Sequence, residues 1–288
     1  MAGIPVLTAS GENIPEAWEN SLFSLIRYGC DMPTQYDKKD DPPSIDSTML
    51  ITVSEPLSEP VIHRDMPGGL RDLEQYTLEI THGIKNHRIR DKNDPDDNRW
   101  GYTYHNRLTA YHGCFNQLEN VISRLSRSPF SRRIQGITWY VSDDSYSEDP
   151  PCLQSLHFRI SEKNNQKYLN MNVRFRSNDA YLAAFMNMYS LVRLQEIIAY
   201  RVSLETGEEI KLGRYCHIAD SYHIYGKDRD LFDNRFMRMV DKRNFEDRTY
   251  RYCDVEKEME EYRNEILSEK DSIISYDLLK NTGDAENG

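Results

Sequence analysis

Over residues 14–29 the apolar positions Trp18, Leu22, Leu25 and Ile26 recur with the spacing of one helical face, and Gly29 stands where such a helix stops. The next stretch, 31–47, is polar and punctuated by Pro33, Pro42, Pro43 and the charge run Asp37-Lys38-Lys39-Asp40-Asp41, which predicts a surface loop ahead of a short strand at 49–53. Helical period returns over 70–84 through Leu73, Tyr76, Ile80 and Ile84. Glu74 and Glu79 lie five apart in that stretch, so a helix turns them in different directions. Residues 86–99 form a charged excursion, and a further helix is predicted from about 108 to 125 with Phe115, Leu118, Ile122 and Leu125 on one face.

The period then changes to two. Ile137, Trp139 and Val141 alternate in 133–142, Leu156, Phe158 and Ile160 in 153–161, and Leu169, Met171, Val173 and Phe175 in 168–176, which predicts three half-buried strands. The link 162–167 is short and favours an antiparallel hairpin. A long apolar helix over 181–201, carrying Leu182, Phe185, Met188, Leu191, Leu194, Ile197 and Ile198, reads as the central core helix, with more strand near 209–218. The last 60 or so residues look helical and charged, above all 254–268, and 281–288 reads as a frayed tail. Helices gathered on a large mixed, mainly antiparallel sheet predict a single α+β domain over 1–268, followed by a polar tail over 269–288.

Composition narrows the function. Of the 288 residues 38% are hydrophobic and 11% aromatic, with 14 Gly and 12 Pro, which fits a folded chain and excludes collagen or bulk disorder. No apolar run approaches the roughly 20 residues of a membrane span, and the N-terminus lacks a signal-peptide pattern, so a soluble cytoplasmic protein is expected. A net charge of −11 disfavours broad contact with a nucleic-acid backbone but leaves room for a small anion held by local arginines. The five cysteines, Cys30, Cys114, Cys152, Cys216 and Cys253, are odd in number and lack metal-ligand spacing, so neither a disulfide framework nor a metal site is expected.

Cys152 stands out among them because Pro150 and Pro151 fix the backbone just before a strand. A thiol at such a strand edge is open to solvent, and nearby arginines would depress its pKa toward that of a nucleophile. Most free cysteines are simply small buried hydrophobes, and this one gains interest from two arginine sites. Ser131-Arg132-Arg133 opens one predicted strand, and Arg176-Ser177-Asn178-Asp179 lies between a strand and the long helix, where guanidinium, hydroxyl and helix N-terminus together would suit a phosphate.

Pro150-Pro151-Cys152, then Arg176-Ser177-Asn178-Asp179 with Asn187 eight positions later, then Asp220-Ser221-Tyr222-His223-Ile224-Tyr225-Gly226, together with Ser131-Arg132-Arg133 and Trp100-Gly101-Tyr102-Thr103-Tyr104, resemble in order and spacing the signatures of thymidylate synthases and related pyrimidine nucleotide hydroxymethylases. The resemblance covers roughly residues 70–226. It implies transfer of a one-carbon unit from methylenetetrahydrofolate to carbon 5 of a pyrimidine nucleoside monophosphate, most simply dUMP to dTMP. By that resemblance Cys152 is the thiolate that adds to carbon 6, Tyr104 an active-site tyrosine beside it, and Glu79, with Glu74 as the other candidate, the proton-handling carboxylate. Arg176 and Ser177 match phosphate ligands, and Arg132 and Arg133 match a pair that reaches the partner subunit's phosphate, so a homodimer with shared sites is implied. Asp179 matches the folate-pterin ligand, Asn187 the amide that reads the pyrimidine edge, and His223 and Tyr225 the pair that binds the sugar hydroxyl.

The chain also departs from that pattern. No arginine near the N-terminus matches the family's phosphate ligand there, although Arg27, Lys38 and Lys39 lie nearby, Leu153 follows the nucleophile where histidine is common, and the chain's final residues are polar rather than apolar. Hydroxymethylation of dUMP, dCMP or CMP, and a nucleotide-binding homologue without catalysis, are the alternatives to methyl transfer.

Overall fold

The sheet at the centre of the molecule follows from the alternating segments. The computed structural model describes residues 3–268 except 92, 93 and 95, so the tail expected over 269–288 lies outside the described residues. The first half of the chain runs β1 (Val6–Gly11), α1 (Ile14–Tyr28), β2 (Cys30–Met32), β3 (Ser44–Val53), β4 (Ile62–His63), α2 (Leu70–His82), α3 (Tyr104–Thr109), α4 (Gln117–Arg127), β5 (Gln135–Ile137) and α5 (Val141–Asp144). The second half runs β6 (Leu153–Lys163), β7 (Gln166–Phe175), β8 (Asn178–Asp179), α6 (Ala184–Thr206), β9 (Ile210–Ile224), α7 (Arg229–Phe232), α8 (Arg238–Lys242), β10 (Thr249–Tyr250) and α9 (Tyr252–Ser268).

Eight strands form one mixed sheet in the order β1-β3-β9-β7-β6-β5, with β2 added to β3 and β8 added to β9. The β1–β3, β7–β9 and β8–β9 pairings are parallel and the others in this sheet antiparallel. The single α+β domain is therefore as expected. The β6–β7 hairpin is tight because Asn164 and Asn165 both take positive φ, 52° and 60°, which suits a two-residue turn whose twist matches that of the strands. Leu156, Phe158 and Ile160 on β6 and Leu169, Met171, Val173 and Phe175 on β7 are buried under the helices. The opposite face carries polar side chains such as Arg174 and Asp220, paired at 2.8 Å.

Against the buried face lies α6, apolar on nearly every side as a central helix must be. Beside it α1 buries Trp18, whose indole N–H donates to the Ala180 carbonyl at 2.8 Å, while the Ser21 hydroxyl meets the Tyr222 hydroxyl at 2.7 Å. Burying the apolar part of such side chains contributes about 2–3 kcal/mol each. These two contacts hold the chain on either side of the site. The acidic helix α9 packs on α2, where Arg263 donates to buried Glu74 at 2.6 Å and Ile266 meets Leu78 and Ile84.

Several boundaries differ from the sequence reading. Strand β1 was not foreseen because its six residues, VLTASG, show no clean apolar alternation and pair only along one edge. Strand β3 starts at Ser44 inside the expected loop, since Ile45, Asp46 and Ser47 pair with β9. The helix expected over 108–125 is two helices, α3 and α4, broken by a turn at Tyr111 that closes on Phe115. In the expected strand 133–142 only β5 is extended. Ile137 and Val141 are exposed there while Ile134, Gly136, Thr138 and Tyr140 are buried, so the alternation is inverted.

That inversion has a polar cause. Arg107 on α3 forms a two-pronged pair with Asp144, with Nη2–Oδ1 at 2.7 Å and Nη1–Oδ2 at 3.0 Å, donates to the Thr138 carbonyl and lies 3.5 Å from the centre of the Tyr140 ring. Both charged groups are buried. The pair draws 138–144 inward and fixes α3, whose first residue is Tyr104. Removing one member strands the other charge, so Asp144→Ala should lower unfolding free energy by about 3–5 kcal/mol. Asp144→Asn should cost less, and urea denaturation monitored by far-ultraviolet circular dichroism would measure both.

Candidate functional site

Period-two geometry on β9 starts the site. His223 pairs directly with Asp179 on β8 to one side and with Asp46 on β3 to the other, so the three side chains form a row across the sheet. Tyr225 follows two residues on, with its ring centroid 4.5 Å from that of His223. The chain turns sharply after it. A Cβ at Gly226 would lie 1.7 Å from the Pro42 carbonyl oxygen, so only glycine lets the loop 33–43 pass this closely. Tyr36 of that loop packs edge-on against Tyr225.

A cavity of about 320 Å³ opens over this row. It is lined by Tyr76 of α2, Tyr104 of α3, Cys152, Ser177, Asn178, Asp179, His223 and Tyr225, and by Leu182, Ala183, Met186 and Asn187 at the start of α6. Seven residues named from the sequence, Cys152, Tyr104, Ser177, Asp179, Asn187, His223 and Tyr225, thus meet around one space. An adjoining cavity of about 730 Å³ shares Tyr76 and Tyr104 and adds Glu79, Trp100, Tyr102, Tyr146 and Asp149 among its walls.

Cys152 is held by the turn before β6. Arg176 donates from Nε to the Pro151 carbonyl at 3.1 Å and from Nη2 to the Pro150 carbonyl at 2.7 Å, and the backbone N–H of Arg176 reaches the Cys152 carbonyl at 2.8 Å. The Leu153 N–H donates to the Tyr104 hydroxyl at 3.2 Å. The backbone that carries the thiol is thereby fixed in position. The thiol's pKa is raised rather than depressed, which corrects the expectation from sequence: burial outweighs the downward pull of Arg176, and Asp149 pushes further upward. Arg176 also departs from the expected helix N-terminus, because α6 begins eight residues later and the guanidinium serves the Pro-Pro turn instead.

Asp179 accepts from the Leu182 and Tyr181 N–H groups at 2.7 and 3.0 Å, which ties the turn that leads into α6. Burial raises its pKa, opposed by those amides and by His223. Asn187 accepts at Oδ1 from the Tyr76 hydroxyl at 2.6 Å, so its Nδ2 and the second lone pair of Oδ1 remain for a ligand. Tyr225 is pushed up to about 12, chiefly by burial and next by Asp179, so it stays a hydroxyl donor.

Glu74 and Glu79 separate as their spacing requires. Glu74 faces α9 and Arg263, away from both cavities, whereas Glu79 lines the larger one, with Gln75 donating to it at 3.1 Å. Burial raises the pKa of Glu79. It does not line the cavity that holds Cys152. Arg132 and Arg133 are exposed in the loop ahead of β5, outside both cavities. Tyr76 was read only as one of the apolar positions of a helical face; its hydroxyl among apolar neighbours was the available signal.

The sequence profile of the thymidylate synthase family matches residues 70–264. The chain belongs to the thymidylate synthase family. It is 31% identical over 227 residues to a protein of Methanocaldococcus jannaschii named "Putative thymidylate synthase", covering 76% of this chain and 90% of that relative. A relative of the same name from Methanosarcina mazei is 26% identical over 223 residues, covering 77% and 91%. In fold it is similar to the thermostable thymidylate synthase A of Bacillus subtilis, with a TM-score of 0.56 at 18% identity over 78% of this chain and 84% of that one. The family match begins at the first residue of α2 and contains every residue that lines the smaller cavity of this thymidylate synthase family member. Among the described residues no helix is long and apolar enough to cross a membrane.

Because burial holds the Cys152 thiol up, alkylation by iodoacetamide in the free protein should rise with pH through a midpoint above the roughly 8.5 of an ordinary thiol. Arg176→Met should move that midpoint up and Asp149→Asn should move it down. Peptide mapping by mass spectrometry after timed alkylation reads all three.

Proposed function

We propose that this protein transfers a one-carbon unit from methylenetetrahydrofolate to carbon 5 of dUMP through a covalent bond between Cys152 and carbon 6, giving dTMP. The observation that carries the reading is the convergence of Cys152, Tyr104, Asn187, His223 and Tyr225 on one cavity of about 320 Å³. A thiolate that adds to carbon 6 makes carbon 5 nucleophilic, provided the charge developing on the ring oxygen is stabilised. Asn187 Nδ2 can donate to that oxygen, and the second lone pair of Oδ1 can accept from the ring N–H, which favours uracil over cytosine. Ser177 is assigned to the phosphate, and Arg176 acts on it from behind the Pro-Pro turn.

The larger cavity fits the folate in size and lining, since Trp100, Tyr102 and Tyr146 offer flat faces and Asp179, at the smaller cavity, offers a carboxyl suited to a pterin's amino and ring N–H groups. When bound there, the folate supplies the one-carbon unit and the reducing hydride. Glu79, whose pKa burial raises, is assigned to proton handling between the two cavities, with Tyr76 and Tyr104 forming the shared wall. Arg132 and Arg133, exposed on the loop before β5, are assigned to the phosphate of a second copy, so the working form is a homodimer.

The test is turnover. Incubation with dUMP and methylenetetrahydrofolate should yield dTMP with the rise in near-ultraviolet absorbance of dihydrofolate, and dCMP or CMP should react more slowly. Cys152→Ser should bind dUMP but lose more than about 10³-fold in turnover, and a 5-fluoro nucleotide with folate should label the Cys152 peptide. A hydroxymethyl product without dihydrofolate, a preference for dCMP, or an adduct on another cysteine would each overturn the corresponding assignment.

Subunit sharing is tested separately. Mixing an Arg132→Ala/Arg133→Ala variant with a Cys152→Ala variant should restore part of the activity that neither has alone. No recovery after verified subunit exchange would refute the shared site.

A further inference from the structure

The row Asp179–His223–Asp46 contains a feature that the motif around His223 does not explain. His223 is 5% exposed and lines the smaller cavity, yet its Nε2 has no hydrogen-bond partner. Its other ring nitrogen is engaged: Nδ1 lies 3.1 Å from the Ser221 hydroxyl, which in turn donates to Asp46 Oδ2 at 2.7 Å. Strand geometry dictates this contact. Asp46 sits directly opposite His223 in the antiparallel β3–β9 pairing, and Ser221, two residues from His223, projects from the same face.

We propose that Asp46 and Ser221 are positioning residues that fix His223 as a hydrogen-bond acceptor toward the cavity, so that the site requires a hydroxyl donor on the sugar of its nucleotide. Burial raises the pKa of Asp46, opposed by Ser221 and His223; in its ionised form the carboxylate can only accept, so the single proton of Ser221 points to Asp46. Ser221 then has only lone pairs to offer His223, and Nδ1 must carry the imidazole proton. In the neutral ring Nε2 is left bare, a buried and unpartnered acceptor on a residue that lines the cavity. Tyr225, the adjacent donor, complements it, because a sugar hydroxyl can donate to Nε2 and accept from the phenol at once. A carbonyl, an ether or a fluorine at the same place has only lone pairs and would face another lone pair.

Asp46 lies outside the stretch that matches the family profile, which begins at residue 70. The relay therefore joins a residue of the N-terminal strands to the family motif. The sugar requirement rests on the functional reading above, whereas the tautomer of His223 does not depend on it.

The test has two parts that fail independently. Nitrogen-15 NMR of the ligand-free protein at roughly pH 8, above imidazole titration, should give a protonated-type shift at His223 Nδ1 and a bare-type shift at Nε2. Ser221→Ala and Asp46→Asn should move the population toward Nε2–H. In the same proteins dUMP is compared with its 3′-fluoro analogue, which accepts but cannot donate. The wild type should discriminate by about 10- to 100-fold in KM, and both variants should reduce this to within about threefold while kcat for dUMP changes little. An Nε2–H tautomer in the wild type overturns the relay, as does undiminished discrimination in both variants. If dUMP does not bind at all, the functional reading and the sugar requirement fall together, and the spectrum of the free protein alone decides the relay. If a variant does not fold, the wild-type spectrum and its two nucleotides still decide the proposal.

Discussion

The site depends on β9 being paired on both edges at its C-terminal end. There β3 runs antiparallel on one side and β8 parallel on the other, and the register places Asp46, His223 and Asp179 in line. A shift of one residue in either pairing would turn a whole strand's side chains to the opposite face and dissolve the row. The helices enforce this register from above. Trp18 of α1 holds the Ala180 carbonyl beside β8, and Ser21, one turn further along α1, holds Tyr222 beside His223, so one helix fixes both strands with two buried hydrogen bonds.

Burial is the dominant electrostatic influence in the cavities. It raises the pKa of Cys152, Glu79, Asp179, Tyr76, Tyr104 and Tyr225, and the nearest cation, Arg176, only partly offsets it at the thiol. A site built this way makes charging its groups more costly and keeps its tyrosines as donors while empty. The phenols of Tyr76 and Tyr104 then serve as fixed hydrogen-bonding walls between the two cavities rather than as charges. The same low-polarity surroundings strengthen any hydrogen bond a bound ligand makes with Asn187 or His223, and they make a mismatched one costly.

Reading from the sequence went furthest where period and motif coincided. The strands β6 and β7 and the helices α1, α2 and α6 were legible because each repeats its apolar spacing, whereas α9 was read from its charged, helical character. Edge elements were not. Strand β1 is short, with no fully buried position, and 133–142 carries apolar residues on the exposed side because Arg107 and Asp144 pull the alternate positions inward. An ion pair 37 residues apart leaves no periodic trace, so periodicity assigned the wrong face.

For the site, residue types and their order named most of the members: Cys152 after two prolines, Asp179 and Asn187 around the start of α6, and His223 and Tyr225 at the end of β9. Their spacing along the chain determined which side chains each local element would present. Whether those side chains met was decided by tertiary structure. It set Glu74 against α9 and Glu79 into the larger cavity, turned Nε and Nη2 of Arg176 to the Pro-Pro turn, and raised the thiol that neighbouring arginines were expected to lower. It also brought in Tyr76, Asp46 and Ser221, whose roles arise from contacts spanning 111, 175 and 2 residues. The physical reason is the same in each case: desolvation and hydrogen-bond direction depend on what surrounds an atom in space, and a linear pattern records only what precedes and follows it.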